Sequence, residues 1–332
     1  MSVSRSAGSA TAAPAEPSAA FAQAFNAIVD NVGRVIQGKT EAIQLAVLCL
    51  LAEGHLLIED VPGVGKTSMA KALAASIQCS FGRVQFTPDL LPSDVVGVSV
   101  FNRATSQFEF RPGPVFANFL LADEINRASP KTQSALLESM AETQVTVDGT
   151  TYPLELPFMV IATENPIEHE GTYPLPESQL DRFFMRISIG YPAADAEMQM
   201  LDAHADHDAL GEIGAVMRAN DVRSMVASTK AVHMAPSLKG YLIELAAGSR
   251  AHPRLALGMS PRSVLNLQRA AKARAAAAGR SYVVPDDIKA LAEPVLAHRL
   301  VVTPEAQLAG IKPADALREV LRSVPVPSGR AR

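Results

Sequence analysis

Apolar and polar positions follow two different patterns along the chain, and the change falls near residue 191. Up to that point short apolar runs bounded by turn residues alternate with segments of helical period. The runs at 56–60, 83–86, 118–123 and 158–163 read as buried strands, because strands covered on both faces are continuously apolar. Helices are predicted before and between them at about 21–35, 41–52, 67–77 and 130–142. That alternation implies a parallel sheet with helices on both faces. Two segments interrupt it. The runs 98–101 and 108–111 flank residues 102–107 as a small hairpin, and 144–147 and 151–154 flank Asp148-Gly149, a turn in which Gly accepts positive φ. Beyond Tyr191-Pro192 helices are predicted at about 193–205, 236–249, 261–278, 285–297 and 304–308, with no further strand. The reading is an α/β chain: a tail over 1–20, an αβα domain over 21–191, an all-α domain over 192–324 and a polar tail over 325–332.

Composition narrows the class. The 332 residues suffice for two domains with cores of their own, and 48% apolar with 19% charged residues is globular. A net charge of −4 argues against a general electrostatic hold on nucleic acid. No apolar run approaches the roughly 18 residues of a membrane span. Cys49 and Cys79 lack metal-ligand spacing and lie in apolar helical contexts, so both read as core thiols in a reducing compartment. The first twenty residues are rich in Ser, Ala and Pro with no apolar centre. They suit a disordered tail better than a signal peptide, which makes the cytoplasm the default location.

Chemistry enters at Val61-Pro62-Gly63-Val64-Gly65-Lys66-Thr67-Ser68, between the first strand and its following helix. A phosphate chain is held by converging backbone N–H groups, and glycine lets the main chain approach it closely. Gly63 and Gly65 supply that approach, with Pro62, Val64 and Ser68 in the same loop and first turn. Lys66 would reach the terminal phosphates and the Thr67 hydroxyl would ligate Mg²⁺. The full pattern has another Gly at position 60, where this chain has Asp60.

The run at 118–123 ends in Asp123-Glu124, where open α/β sheets bind their ligands. After a glycine loop, Asp123 suits the Mg²⁺ shell and Glu124 the polarisation of an attacking water. Asn165, just past the run at 158–163, either hydrogen-bonds that water and the γ-phosphate or forms the turn before Pro166. Phosphoryl transfer spreads charge over the equatorial oxygens, so an arginine is expected near them. Arg127, Arg182, Arg254 and Arg262 are the candidates, and composition does not choose among them.

Three longer strings are more specific than the loop. Phe86-Thr87-Pro88-Asp89-Leu90-Leu91-Pro92-Ser93-Asp94, Asn118-Phe119-Leu120-Leu121-Ala122-Asp123-Glu124-Ile125-Asn126-Arg127-Ala128 and the stretch from Ala162-Thr163-Glu164-Asn165-Pro166 to Tyr173-Pro174-Leu175-Pro176-Glu177 resemble the MoxR family of AAA+ ATPases. The similarity covers roughly residues 30–300. The resemblance implies an AAA+ P-loop NTPase: an αβα parallel-sheet core with two inserted β-hairpins facing the channel of a homo-hexameric ring, followed by an all-α lid. It implies ATP and Mg²⁺ as cofactors and Asn165 as the sensor residue. It also implies Arg182 as an arginine finger entering a neighbour's site, and Arg262 as a second sensor reaching the γ-phosphate from the lid. Ile36 and Gly38 would meet adenine through the backbone, although Val35-Ile36-Gln37-Gly38-Lys39 has Gln before Gly where relatives commonly have an apolar residue followed by Gly-Gln. Relatives tolerate a non-Gly residue at the place of Asp60.

The implied role is chaperone-like: ATP hydrolysis drives maturation or remodelling of a protein complex, often with a partner containing a von Willebrand factor type A domain. A chelatase-type metal-insertion subunit and a DNA-acting motor are the alternatives; the charge and the lack of a DNA-binding appendage disfavour the second. Neither hairpin carries an aromatic-apolar-Gly pore triplet, which disfavours a threading unfoldase.

Overall fold

The computed structural model describes residues 19–327 apart from 167–171, 193, 195–196 and 199–209. Most of the tail expected over 1–20, most of the helix expected over 193–205 and the end of the C-terminal tail lie outside the described residues.

Helices α1 (Ala19–Gly33) and α2 (Thr40–Leu51) lead into β1 (Leu56–Glu59), and α3 (Lys66–Ser76) carries the chain to β2 (Phe81–Gln85). A short α4 (Pro92–Val96) precedes the hairpin of β3 (Gly97–Asn102) and β4 (Gln107–Pro112). Then come β5 (Phe119–Asp123), α5 (Pro130–Glu142), the hairpin of β6 (Gln144–Val147) and β7 (Thr150–Pro153), β8 (Met159–Glu164), α6 (Glu177–Leu180) and β9 (Met185–Ile187). Five of these strands form one parallel sheet in the order β2-β5-β8-β1-β9.

The pleat sorts the apolar runs between two layers. Leu56, Ile58, Phe119, Leu121, Met159 and Ile161 join the core under α1–α3, while Leu57, Leu120, Ala122, Val160 and Ala162 join the one under α4 and α5. Each fully buried Leu or Ile contributes about 1.5–3 kcal/mol over an exposed one, so both layers hold the sheet. In the second hairpin Asp148 and Gly149 have φ of 50° and 77°, the paired positive values of a type I′ turn. The hairpins lean on each other: Phe110 stacks on Tyr152 with 4.2 Å between ring centroids.

The C-terminal part comprises α7 (Ala219–Ala231), α8 (Pro236–Arg250), α9 (Pro261–Ala277), α10 (Pro285–Leu296), α11 (Pro304–Leu308) and α12 (Pro313–Ser323). It is helical, as the periodicity predicts, with one addition. Strands β10 (Leu255–Leu257) and β11 (Val301–Val302) pair antiparallel, each too short for an alternation to register. The sequence reading also lacks α4, α6, β9, α7 and α12. Elements α4, α6 and β9 are shorter than two turns or a strand alternation, and α7 buries only four side chains, whereas α12 carries Ala316, Leu317, Val320 and Leu321 at helical spacing and is legible in the sequence. Buried residues of α7–α10 and α12 merge with the α1–α3 layer, so the lid packs on that side of the sheet.

Cys49 is buried in α2, but Cys79 is half-buried and follows α3 instead of lying in a helix. Burial pushes the Cys79 thiol up to about 11 and Cys49 further, so neither is a thiolate at neutral pH. No helix among the described residues is long and apolar enough to cross a membrane.

Candidate functional site

The carboxyl ends of β1, β5 and β8 meet at a cavity of about 340 Å³ lined by Pro62, Gly63, Gly65, Lys66, Thr67, Ser68, Asp123, Glu124 and Asn165. Three stretches far apart in the chain thus share one wall. Gly63 and Gly65 have φ of 85° and 91°, in the left-handed region that side chains disfavour. Gly65 is also the N-cap of α3, so the unpaired N–H groups of the first turn open on the cavity with the positive end of the helix. The Lys66 ammonium donates to the carbonyls of Asp60 at 2.6 Å and Glu164 at 3.4 Å, between the ends of β1 and β8. Buried Ile36 touches this loop, since its Cδ1 would lie 3.2 Å from a Cβ built on Gly65. Gly38, with φ of 71°, faces a neighbouring cavity of about 820 Å³ between β9, α10 and α12.

The acidic pair is held by a residue that sequence reasoning missed. Fully buried Thr163 donates its hydroxyl to Asp123 Oδ1 at 2.7 Å and accepts the N–H of Glu124 at 2.8 Å. Asp123 Oδ2 pairs with Arg83 at 2.7 Å. Glu124 has φ of 55°, a conformation costing a non-glycine residue about 1 kcal/mol or more, and it turns the side chain out of the strand direction. Its Oε2 accepts from Gln85 Nε2 at 2.8 Å and lies 3.4 Å from Arg127 Nε. Thr163 becomes recognisable only once β5 and β8 are known to pair. Arg83 and Gln85 alternate on β2, a period-2 signal visible in the sequence. Asn165 follows β8 directly, is 5% exposed and forms part of the cavity wall.

Glu164 sits opposite Glu59 in the β1–β8 register. Burial and the Glu59 carboxylate push its pKa up to about 7, against the pull of Arg186, which pairs with Glu59 at 2.9 Å. A carboxyl raised in the folded state keeps a proton that the unfolded chain releases, so stability falls as pH rises from about 4.5 through about 7. Glu164→Gln is therefore expected to be more stable than the parent at pH 8, by up to about 3 kcal/mol in a denaturant melt. Below about pH 4 the two should coincide; an equal gap there and at pH 8 would contradict the assignment.

The arginine candidates separate cleanly. Arg127 reaches Glu124 as described, and Arg254 is bonded to Glu319 in the lid. Arg182 and Arg262 lie together at another cavity, of about 700 Å³, bounded by Gly54, His55, Pro157 and Phe158. Those residues precede β1 and β8, so this cleft is at the amino edge of the sheet. The glycine loop is at the carboxyl edge, ~13 Å away along four-residue β1. Arg182 Nη1 donates to Leu137 O at 2.7 Å, and the 64% exposed Arg262 side chain donates to Asp181 at 3.2 Å. The structure therefore does not bring Arg262 to the phosphate loop of its own chain. The start of α9 is pinned to the segment before β9, which places Arg262 beside Arg182 instead.

Thr67 and Asp123 offer hard oxygen donors, a set that suits Mg²⁺ when phosphate and water oxygens complete the octahedron. Among the described residues no cluster of three or more His, Cys, Asp or Glu side chains could hold a metal by itself.

Comparison with known proteins agrees with this geometry. Residues 55–185 match the ATPase family associated with various cellular activities (AAA), and 247–320 match an AAA lid domain. Chaperone MoxR1 of Mycobacterium tuberculosis is 39% identical, over 96% of this chain and 86% of its own length. The chain belongs to the MoxR family of AAA+ ATPases. Protein MoxR of Paracoccus denitrificans is 32% identical over 89% of this chain and 94% of its own, and uncharacterized protein YeaC of Bacillus subtilis is 48% identical over 91% and 95%. A crystal structure from Cytophaga hutchinsonii superposes with a TM-score of 0.86 at 39% identity, covering 93% of this chain and 96% of that one. Membership of the MoxR family makes this a nucleotide-binding fold, and the residues that wall the cavity at the glycine loop and acidic pair all lie within the matched AAA segment.

Proposed function

We propose that this MoxR ATPase hydrolyses ATP at sites shared between neighbouring subunits of a homo-hexameric ring, and uses the cycle to remodel or mature a protein complex. The observation that carries the reading is the division of the machinery: Lys66, Thr67, Asp123, Glu124 and Asn165 at one edge of the sheet, Arg182 and Arg262 at the other. One edge of a subunit faces the opposite edge of the next in a head-to-tail ring.

Within the shared site, the loop N–H groups and Lys66 hold the phosphates, and Ile36 with Gly38 backs the adenine. Thr67 and Asp123 hold Mg²⁺, which when bound neutralises charge on the phosphate oxygens. Glu124, steered by Gln85 and by its left-handed backbone, polarises the water, and Asn165 orients it. Arg182 and Arg262 of the next subunit meet the charge that develops on the transferred group. The two hairpins face the client. Phe101 and Phe108 at the first tip are 49% and 74% exposed and in edge contact at 5.3 Å, which suits an apolar protein segment. A von Willebrand factor type A domain protein is the partner class in this reading, and the cytoplasm its compartment.

Purified protein is expected to hydrolyse ATP in the presence of Mg²⁺ and to assemble on adding it. Lys66→Ala should lose nucleotide binding by at least about a hundredfold, because a charge-assisted bond to phosphate is removed from a partly buried site. Unchanged ATP affinity in Lys66→Ala, or a strict monomer with and without ATP, would overturn the proposal.

A further inference from the structure

Position 60 is where the chain departs from the generic phosphate-loop pattern. Nothing in the backbone there requires glycine, because the positive φ values of the loop fall at Gly63 and Gly65. Asp60 is 7% exposed, and its carboxylate gathers four donors. Oδ2 accepts from the Ser188 hydroxyl at 2.9 Å and from the N–H groups of Ile189 at 2.7 Å and Gly190 at 2.6 Å. Oδ1 accepts the N–H of Val61 at 2.9 Å. Burial alone would raise this carboxyl, yet the bonds hold it below its usual value.

The segment bound in this way leaves β9 and runs to Tyr191, whose carbonyl accepts from Lys39 Nζ at 2.5 Å. Residues 188–191 are thus gripped from two sides. One grip is the residue that opens the phosphate loop; the other follows Gly38 in the loop that touches Gly65 through Ile36. Past Tyr191 the chain passes into the lid, and Ser188 and Ile189 face α10 and α12 across the 820 Å³ cavity. Arg186 of β9, paired with Glu59, ties the same segment to the residue before Asp60.

We infer that residues 188–191 are a strap that transmits occupancy of the phosphate loop to the lid of the same subunit, with Asp60 as the positioning residue that joins loop to strap. The inference rests on the nucleotide reading of the cavity. A phosphate settling on the loop N–H groups and Lys66 moves the loop, and Asp60 moves with it because it precedes Val61 directly. Three charge-assisted bonds to consecutive strap residues leave no slack for the strap to stay behind. With Gly at 60 the glycine loop and Lys66 would hold phosphate as before, but the strap donors would turn to water and the displacement would end there.

Asp60→Gly is the deciding variant, because it completes the generic pattern and so should be harmless if position 60 serves the loop alone. Amide hydrogen exchange of the full-length protein, with and without a non-hydrolysable ATP analogue, reads residues 63–69, 188–191 and α10 separately. In the parent the analogue is expected to slow exchange in all three. In Asp60→Gly it should still slow 63–69, with affinity within about threefold of the parent, while 188–191 and α10 exchange as in the free protein. kcat should fall about tenfold or more with KM little changed, the signature of a lost step after binding. Asp60→Asn keeps the shape and one acceptor oxygen, so it should respond in between, and it replaces the Gly variant if that one fails to fold. A strap and α10 that respond as in the parent, in whichever of the two variants folds, overturn the inference. A parent that binds no analogue overturns the nucleotide reading instead, so the two failures are told apart.

Discussion

Glu124→Gln is expected to bind ATP as tightly as the parent and to hydrolyse it about a hundredfold to ten-thousandfold more slowly, the range for a lost general base. The substitution is nearly isosteric and keeps an amide oxygen that can accept from Gln85 Nε2. The left-handed backbone and the N–H bond to Thr163 do not involve the side chain, so the turn stays where it is. Arg127 loses an ion-pair partner, but both side chains are partly exposed and the loss is below about 1 kcal/mol. What disappears is the negative charge that polarises water. Single-turnover hydrolysis beside equilibrium nucleotide binding measures both halves of the prediction; parent-like hydrolysis would remove Glu124 from the role. The same variant, holding ATP unhydrolysed, is the natural bait for the client.

Arg182→Ala is expected to lose about a thousandfold or more of kcat, in line with the contribution of an arginine to phosphoryl transfer. The informative measurement is the mixture. Lys66→Ala damages the carboxyl edge of its own subunit, and Arg182→Ala damages the amino edge. Random assembly of equal amounts leaves about a quarter of the interfaces with an intact loop facing an intact arginine, so activity should reappear on mixing two inactive proteins. Because Arg262 shares the cleft of Arg182, Arg262→Ala should be rescued by Lys66→Ala and not by Arg182→Ala. Recovery at no ratio would mean that the two edges do not meet.

Much of the site could be read before the fold was known, and the exceptions are instructive. The glycine loop, the strand-end acids and Asn165 announce themselves because each depends on a few consecutive residues. Arg182 and Arg262 stand out from the other arginines only through the family resemblance, and no local pattern shows their side of the sheet. Arg262 opens α9, and nothing within that helix says that its first turn docks on Asp181, 81 residues earlier. Thr163 looks like one more residue of an apolar strand until β8 is laid beside β5. The missed β9 and the β10–β11 pair fall below the length at which periodicity can be counted.

The parts whose physics is local are legible in the chain alone: strands covered on both faces, a hairpin turn at Asp148-Gly149, and two glycines at the positive end of a helix. How those parts work together depends on contacts between distant segments. Strand order β2-β5-β8-β1-β9 puts the Thr163 hydroxyl between the Asp123 carboxylate and the backbone N–H of Glu124. It also puts the arginines on the edge away from the glycine loop, and brings donors 128 to 130 residues distant onto Asp60. Each of these is a contact between segments whose separation along the chain carries no periodic signal, so it exists only once the sheet has assembled.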